Sequence, residues 1–312
     1  MRILFFTDPH NADHPPRMRK ASYMEDILFK QQELVQIAKT CDLTICGGDV
    51  FHQKNPDMVS HRLVNRVAEI YREMGDMIIV PGNHDVGGGA SETLWRYRPL
   101  NHLANLPNVE ILHKKQRTLS LEWSVACYGL ADAWEPLSEF ERWLRTLVPL
   151  TKKQIVVAHI PFLVGKDKYP YPTIRLTSAI KSCAKLFFLG HMHDFQQVSG
   201  QIVAPGSLSR GVLKMDASYG RPVYSVVVNI DKGEIAFNLI KMDVKPADEV
   251  FRLDEKQKEQ REQRAVGELL SFIDDFTIPQ KLDQDTIEDL IKKSSVDDET
   301  KETALKILKE MS

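Results

Sequence analysis

The chain has 312 residues, 43% of them apolar, and a formal net charge of −2. This length buries one large core, or one core plus a small accessory unit. The near-neutral balance excludes a protein that coats nucleic acid by bulk basicity, because phosphate neutralisation needs clustered Lys and Arg. It leaves DNA open, since bound divalent cations add positive charge that a residue count omits, and short basic runs occur at Arg17 to Lys20 and Lys114 to Arg117. Cys41, Cys46, Cys127 and Cys183 form no C-x-x-C pair and read as reduced core residues. The opening RILFFT run is too short for a signal peptide and no apolar stretch approaches a membrane span, so a cytoplasmic protein with no membrane association is expected.

From Met1 to about Leu189, short apolar runs alternate with amphipathic stretches, the pattern of βαβ units in an α/β fold. Strands are expected at Ile3 to Thr7, Leu43 to Cys46, Met77 to Val80, Ile155 to Ala158 and Leu186 to Leu189. Met24 to Lys39 predicts one helix. Asn55-Pro56 predicts the start of another running to about Met74, with a capping side chain followed by proline in the first turn. After His193, strands at Gln201 to Ala204, Val223 to Asn229 and Glu234 to Met242 predict a second, more antiparallel sheet packed on the first. Residues 1–245 are thus expected to form one domain. Residues 246–312 form a charged linker (Asp254 to Ala265) and a helical tail, with helices near Thr286 to Lys293 and Asp297 to Met311. The apolar cluster Leu269, Leu270, Phe272, Ile273 and Phe276 marks that tail either as a solvated extension or as a docking segment.

Five segments each end an apolar run with a metal-type ligand: Asp8-Pro9-His10, Gly47-Gly48-Asp49, Gly82-Asn83-His84-Asp85, Ala158-His159 and Gly190-His191-Met192-His193. Ligands gather beyond the carboxyl ends of strands in α/β sheets, so the five can converge on one mouth. Oxygen and imidazole donors without thiolate suit Mn²⁺, Mg²⁺, Fe or Zn²⁺ and disfavour a structural cysteine-zinc site. Asp8, Asp49, Asn83, His10, His159, His191 and His193 exceed the needs of one ion, whereas two ions sharing a carboxylate would use them all. His14, His61, His102 and His113 stand outside these motifs and read as ordinary surface or core residues.

In this order the motifs resemble those of the calcineurin-like metallophosphoesterases: D-x-H, G-D, G-N-H-D/E, a lone H, and G-H-x-H, here DPH, GGDVFH, GNHD, AHIP and GHMH. The resemblance spans about Met1 to Ile240 and implies a four-layer α/β/β/α sandwich, here followed by the helical tail. It also implies that Asp8, His10 and His193 hold one ion, that Asn83, His159 and His191 hold a second, and that Asp49 bridges them. His84 is implied to face the scissile phosphate, with Asp85 fixing its imidazole. The implied reaction is in-line attack on phosphorus by a hydroxide held between the two ions. The cofactors are then two divalent ions, Mn²⁺ foremost, with Mg²⁺ or Fe as alternatives.

Three further features resemble the SbcD-type nuclease subunits of double-strand-break repair, in their compact bacteriophage-like form. The Asp49 motif continues as GGDVFHQKNP, which makes His52 a candidate for positioning a DNA phosphate, or else a helix-start histidine near the surface. The segment Ala204 to Arg210 (APGSLSR) resembles the P-G-S segment of these nucleases, with Ser207 and Arg210 as candidate phosphate contacts. The tail resembles helices that dock on a partner. The span Lys241 to Ala265 is too short for the DNA-capping domain of larger members. The resemblance implies Mn²⁺-dependent exonuclease activity on double-stranded DNA and endonuclease activity on single strands or hairpins. The partners would be DNA, a second copy of the chain, and an SbcC-like coiled-coil ATPase bound through the C-terminal helices. No G-x-x-x-x-G-K-[ST] loop occurs in this chain. A phosphodiesterase or phosphatase for small substrates, and a non-catalytic DNA-binding scaffold, are the alternative readings.

Overall fold

The computed structural model describes residues 1–253 except 17, 54, 87–97, 130–136, 164–172 and 212–220, together with 288, 291, 292, 301, 302 and 305. In chain order its elements begin β1 (Arg2–Phe6), α1 (Tyr23–Ala38), β2 (Leu43–Cys46), α2 (His61–Arg72), β3 (Met77–Ile79), α3 (Asn83–Val86), α4 (Pro99–Leu103), β4 (Val109–Ile111), β5 (Lys115–Thr118) and β6 (Trp123–Tyr128). They continue with α5 (Leu137–Thr146), β7 (Lys153–His159), β8 (Phe162–Leu163), β9 (Ile174–Arg175), α6 (Ser178–Lys181), β10 (Leu186–Gly190), β11 (Gln197–Ser199), β12 (Ile202–Ala204), β13 (Tyr224–Asp231), β14 (Glu234–Lys241) and α7 (Ala247–Val250).

Two six-stranded sheets carry the fold, ordered β14-β13-β1-β2-β3-β4 and β11-β12-β10-β7-β6-β5. The alternation of side chains along each strand assigns them to layers. Ile3, Phe5, Ile45 and Val226 of the first sheet meet Val125, Val157, Phe188 and Val203 of the second in a central apolar layer. The opposite faces of the first sheet (Leu4, Phe6, Cys46, Val227) pack against Ile27 and Leu34 of α1 and Leu63 and Val67 of α2. Those of the second (Ala126, Val156, Phe187) pack against Phe140 and Leu144 of α5 and Ile180 of α6. Helix, sheet, sheet and helix are therefore stacked as the four-layer sandwich requires. The central strands are apolar on both faces because both faces are covered.

The assignment of strands to sheets differs from the sequence expectation. The strands after His193 do not build a separate antiparallel sheet. The β13–β14 hairpin extends the first sheet, with β13 antiparallel to β1 from Arg2↔Asn229 to Phe5↔Val226. The second sheet is parallel through β6, β7, β10 and β12, and antiparallel only at its edges. The reason is burial: β13 is apolar on both faces, so it fits an interior position. The expected helix Asn55 to Met74 is also divided. A 3₁₀ turn occupies Pro56–Met58, and α2 starts only after Ser60, whose Oγ accepts the Leu63 N–H at 3.1 Å and caps the helix.

The chain divides into two compact units, Met1–Val250 and Phe251–Ser312. In the second, Glu288, Ile291 and Lys292 are helical, with Lys292 Nζ 2.7 Å from Glu288 Oε1. The charged linker from Asp254, the apolar cluster Leu269 to Phe276 and most of both expected tail helices lie outside the described residues. Among the described residues, no helix is long and apolar enough to cross a membrane.

Candidate metal centre

The parallel neighbours β1, β2 and β3 end level with one another, Phe6 opposite Cys46 and Cys46 opposite Ile79. The turns that follow them carry Asp8, Asp49 and Asn83. In the facing sheet β7 and β10 also end together, Gly190 opposite His159, and the next turn carries His191 and His193. All five segments thus meet at one end of the sandwich. The backbone is bent sharply to achieve it. Among the described residues six non-glycine residues have left-handed φ, and four of them are Asp8 (52°), His10 (48°), Asp49 (51°) and His191 (82°). Such conformations cost about 1–3 kcal/mol each and persist where the surroundings over-determine them. Gly48 adopts φ 110° with no room for a Cβ beside His159, and a Cβ on Gly82 would overlap the Asp49 carboxylate.

The donor atoms form two groups that share Asp49. In the first, His10 Nε2 lies 3.0 Å from His193 Nε2 and 3.8 Å from Asp8 Oδ1, which is itself 3.7 Å from His193 Nε2. In the second, Asn83 Oδ1 lies 3.2 Å from His159 Nε2 and 3.0 Å from His191 Nδ1. Asp49 Oδ2 stands between them, 3.5 Å from His10 Nε2 and 3.4 Å from His159 Nε2. The His159 Nδ1–H donates to the Gly47 carbonyl at 2.8 Å, so its Nε2 faces Asp49 and Asn83. Asp8 is oriented through its other oxygen, which accepts Thr7 Oγ1–H at 2.5 Å and the His191 N–H at 3.0 Å.

The cluster fits divalent cations. Asp8 Oδ1 is buried and without a hydrogen-bond partner, although it faces two imidazole nitrogens. An unsatisfied buried carboxylate oxygen is costly, and a cation shared with those nitrogens removes the cost. Donor separations near 3 Å also match the edges of a coordination shell with bonds of about 2.1 Å. The charge state agrees. Burial raises the Asp8 carboxyl above its ordinary value despite His159 and His193 nearby. Burial opposes ionisation of Asp49 too, but His159, His10 and His84 hold it well below the usual carboxylate range. Burial likewise opposes protonation of His159, yet Asp49 and Asp8 push it up to about 9. Without ions, a histidine proton stands in for the missing positive charge.

His84 and His52 flank this cluster. The His84 N–H donates to Asp49 Oδ1 at 2.8 Å, and its Nδ1–H to the His52 carbonyl at 2.5 Å. The two rings stack with centroids 5.3 Å apart, and the His84 ring stands edge-on to His10 at 4.8 Å. The sequence reading of Asp85 needs correction. Its carboxylate is buried and accepts the N–H groups of Gly82 (2.9 Å), Phe51 (3.1 Å) and Val50 (3.2 Å). It braces the turn that carries Asp49, while the His52 carbonyl, not Asp85, orients the His84 imidazole. Ser207 also turns to the main chain. Ser207 is fully buried and its Oγ donates to the Asp8 carbonyl at 2.8 Å, which leaves no face for a phosphate. Arg210 is 6% exposed, donates to the Lys245 carbonyl, and lines a cavity of about 440 Å³ with Arg19, Lys30 and Lys245.

Sequence reading also missed three residues. Thr7, Lys30 and Arg221 all serve the site through hydrogen bonds to neighbouring segments. Lys30 alone left a signal: it occupies the buried face of α1 between Ile27 and Leu34, where a lysine needs a reason. The basic run at Lys114 to Arg117 is largely engaged elsewhere, with Arg117 paired to Asp76 and Glu110. Of the run Arg17 to Lys20, position 17 lies outside the described residues; Arg19 pairs with Asp26 and Lys20 Nζ meets the Asp248 carbonyl.

Comparison with known proteins follows the same lines. Among solved structures, TT1561 of Thermus thermophilus is similar with 17% identity and a TM-score of 0.50, over 76% of this chain and 98% of that one. A purple acid phosphatase from yellow lupin seeds is similar at 12% identity and TM-score 0.47, over 79% of this chain and 52% of that one. A 5′-nucleotidase precursor from Thermus thermophilus is similar at 13% identity and TM-score 0.43, over 86% of this chain and 59% of that one. No curated protein sequence matches the chain. The calcineurin-like phosphoesterase family matches residues 1–195, a stretch that contains every donor of the two groups. With five strand-end turns converging on paired donor groups that share one carboxylate, and with that match over more than half its length, the chain belongs to the calcineurin-like phosphoesterases, metal-dependent hydrolases that use two divalent ions.

Proposed function

We propose that this phosphoesterase cleaves phosphodiester bonds in DNA, as the nuclease subunit of an SbcD-type repair or recombination complex. The observation that carries the hydrolytic part is Asp49 Oδ2 standing between two complete donor groups, beside a histidine outside both. In this reading Asp8, His10 and His193 hold one ion, Asn83, His159 and His191 the other, and Asp49 joins them. Bound there, the ions would supply positive charge to the non-bridging phosphate oxygens and activate water. The protein's own part is proton transfer and orientation. With Nδ1–H committed to the His52 carbonyl, His84 keeps Nε2 for the substrate, and in its protonated form that atom donates to the leaving oxygen. His52 stacks on His84 and fixes the plane of that ring.

Two features support DNA as the substrate. The GGDVFH stretch places His52 beside His84 and His10, with His52 Nδ1 3.3 Å from His10 Nδ1. On the rim, Phe195 is 43% exposed two residues past His193, and its ring lies 5.7 Å from that of Tyr224. Tyr224 precedes Val226, the partner of Phe5, so this aromatic pair sits at the Asp8 end of the sheet, where a nucleobase would stack. Mn²⁺ as the preferred ion, a homodimer and an SbcC-like ATPase partner belong to the same proposal and are supported by the motif resemblance. The test incubates wild type and His84→Ala with end-labelled duplex DNA, with Mn²⁺ or chelator, beside a chromogenic phosphodiester. Mn²⁺-dependent shortening of the DNA by wild type alone supports the proposal. Turnover of the small ester only replaces it with a general phosphodiesterase, and undiminished turnover by His84→Ala overturns the role of His84.

A further inference from the structure

We infer that Arg221 is a positioning residue for the first ion's donors, acting through backbone carbonyls and not through substrate. The inference rests on the reading above, in which Asp8, His10 and His193 hold an ion. Arg221 is half-buried just before β13. Its Nη1 donates to the carbonyls of His193 (2.6 Å) and Ser207 (3.3 Å), and its Nη2 to those of Ser207 (3.3 Å) and Ser209. Lys30 Nζ takes the carbonyl in between, that of Leu208, at 3.0 Å. Three successive carbonyls are thus gripped by the Arg221 guanidinium and the Lys30 amine.

The other side of the same segment holds the metal turns. The Ser207 N–H donates to the His193 carbonyl at 3.0 Å, and the Ser207 Oγ–H to the Asp8 carbonyl at 2.8 Å. The Leu208 N–H meets the Thr7 carbonyl at 2.9 Å, and the Ser209 N–H the Asp8 carbonyl at 3.3 Å. Residues 207–209 are therefore a splint laid across Asp8 and His193, and Arg221 clamps the splint while also holding His193 directly. The clamp is needed because Asp8 sits at φ 52°, a conformation that relaxes unless neighbours enforce it. The chemistry needs arginine: a planar fork spans carbonyls two residues apart, whereas an ammonium acts as a point charge. Both terminal nitrogens are engaged with these carbonyls, which directs the fork at the backbone.

The test measures Mn²⁺ binding to chelator-stripped full-length wild type, Arg221→Lys and Arg221→Met by calorimetry. Far-UV circular dichroism checks the fold, and kcat and KM are taken on whichever ester the wild type turns over. Arg221→Met is expected to retain one ion at wild-type affinity, to weaken the other at least tenfold, and to lower kcat with KM unchanged. Arg221→Lys is expected to restore part of that affinity. Ser207→Ala, which cuts the splint at Asp8, is expected to weaken the same ion and serves as the readout if Arg221→Met does not fold. Two ions bound at wild-type affinity in both Arg221→Lys and Ser207→Ala overturn the inference, as does a rise in KM with ion binding intact. A wild type that binds fewer than two ions overturns the two-ion reading itself, and this inference with it.

Discussion

Lys30 is a lysine buried on an apolar helix face, with Arg19, Arg221 and Arg210 around it and the Asp26 and Glu33 carboxylates in opposition. Burial, reinforced by those three cations, lowers its pKa from 10.5 to about 7. The gap corresponds to about 5 kcal/mol of preference for the neutral amine in the folded state. Between these pH values the unfolded chain holds a proton that the folded chain has released. The stability contribution is thus fully present above about pH 10.5 and is lost as pH falls through about 7. Lys30→Met removes that dependence but leaves the buried Leu208 carbonyl without its donor, at about 1–3 kcal/mol. The variant should then be more stable than wild type by about 2–4 kcal/mol at pH 6, and less stable by about 1–3 kcal/mol near pH 10.5. Urea unfolding of both chains across this range, metal-free, measures the difference directly, since every other titrating group cancels. A difference constant to within about 1 kcal/mol would show that Lys30 keeps an ordinary pKa and would refute the reasoning.

Asp49→Asn removes the carboxylate charge shared by both donor groups, so Mn²⁺ affinity should fall more than about 100-fold in calorimetry, beyond the usual loss for a residue that only supports a ligand; near-normal binding of two ions would exclude a bridge. Gly82→Ala forces a methyl group into the Asp49 carboxylate and should lower unfolding free energy by about 1–3 kcal/mol while weakening Mn²⁺ binding. Unchanged ion binding would show that the turn relaxes freely. Phe195→Ala should weaken binding of single-stranded DNA by about 1–3 kcal/mol and leave an abasic oligonucleotide unaffected. Equal losses on both would assign Phe195 to packing.

The strands that carry the site were readable because each is a short, doubly buried apolar run closed by a polar turn. For β1, β2, β3, β7 and β10 the expected and observed spans agree to within two residues at each end. The convergence of the seven candidate donors was readable for the same reason, since they stand one to four residues past those strand ends or, for His159, at the end itself. Sheet membership was not readable. One of the two partners of β1 is β13, and nothing local in either segment encodes a neighbour so distant in the chain. Strand β6 (WSVACY) was missed because Ser124 and Ala126 break its hydrophobic signal, although every residue in it is buried. Asp85, Ser207 and Arg221 escaped correct reading because their partners are main-chain groups, which look alike in any sequence.

The pairing of β1 with β13 also governs how the protein is made. Arg2 leaves the ribosome well before its partner Asn229, which emerges only near the end of the sandwich. At roughly 5–20 residues per second, the strand that presents Asp8 waits on the order of 10–45 s with one edge open. The family-matched stretch ends at residue 195, before that edge is covered. A nascent chain stalled between there and Tyr224 would expose the open edge of this apolar strand as a template for neighbouring chains. It should accumulate as aggregate or chaperone client, not as a smaller working enzyme.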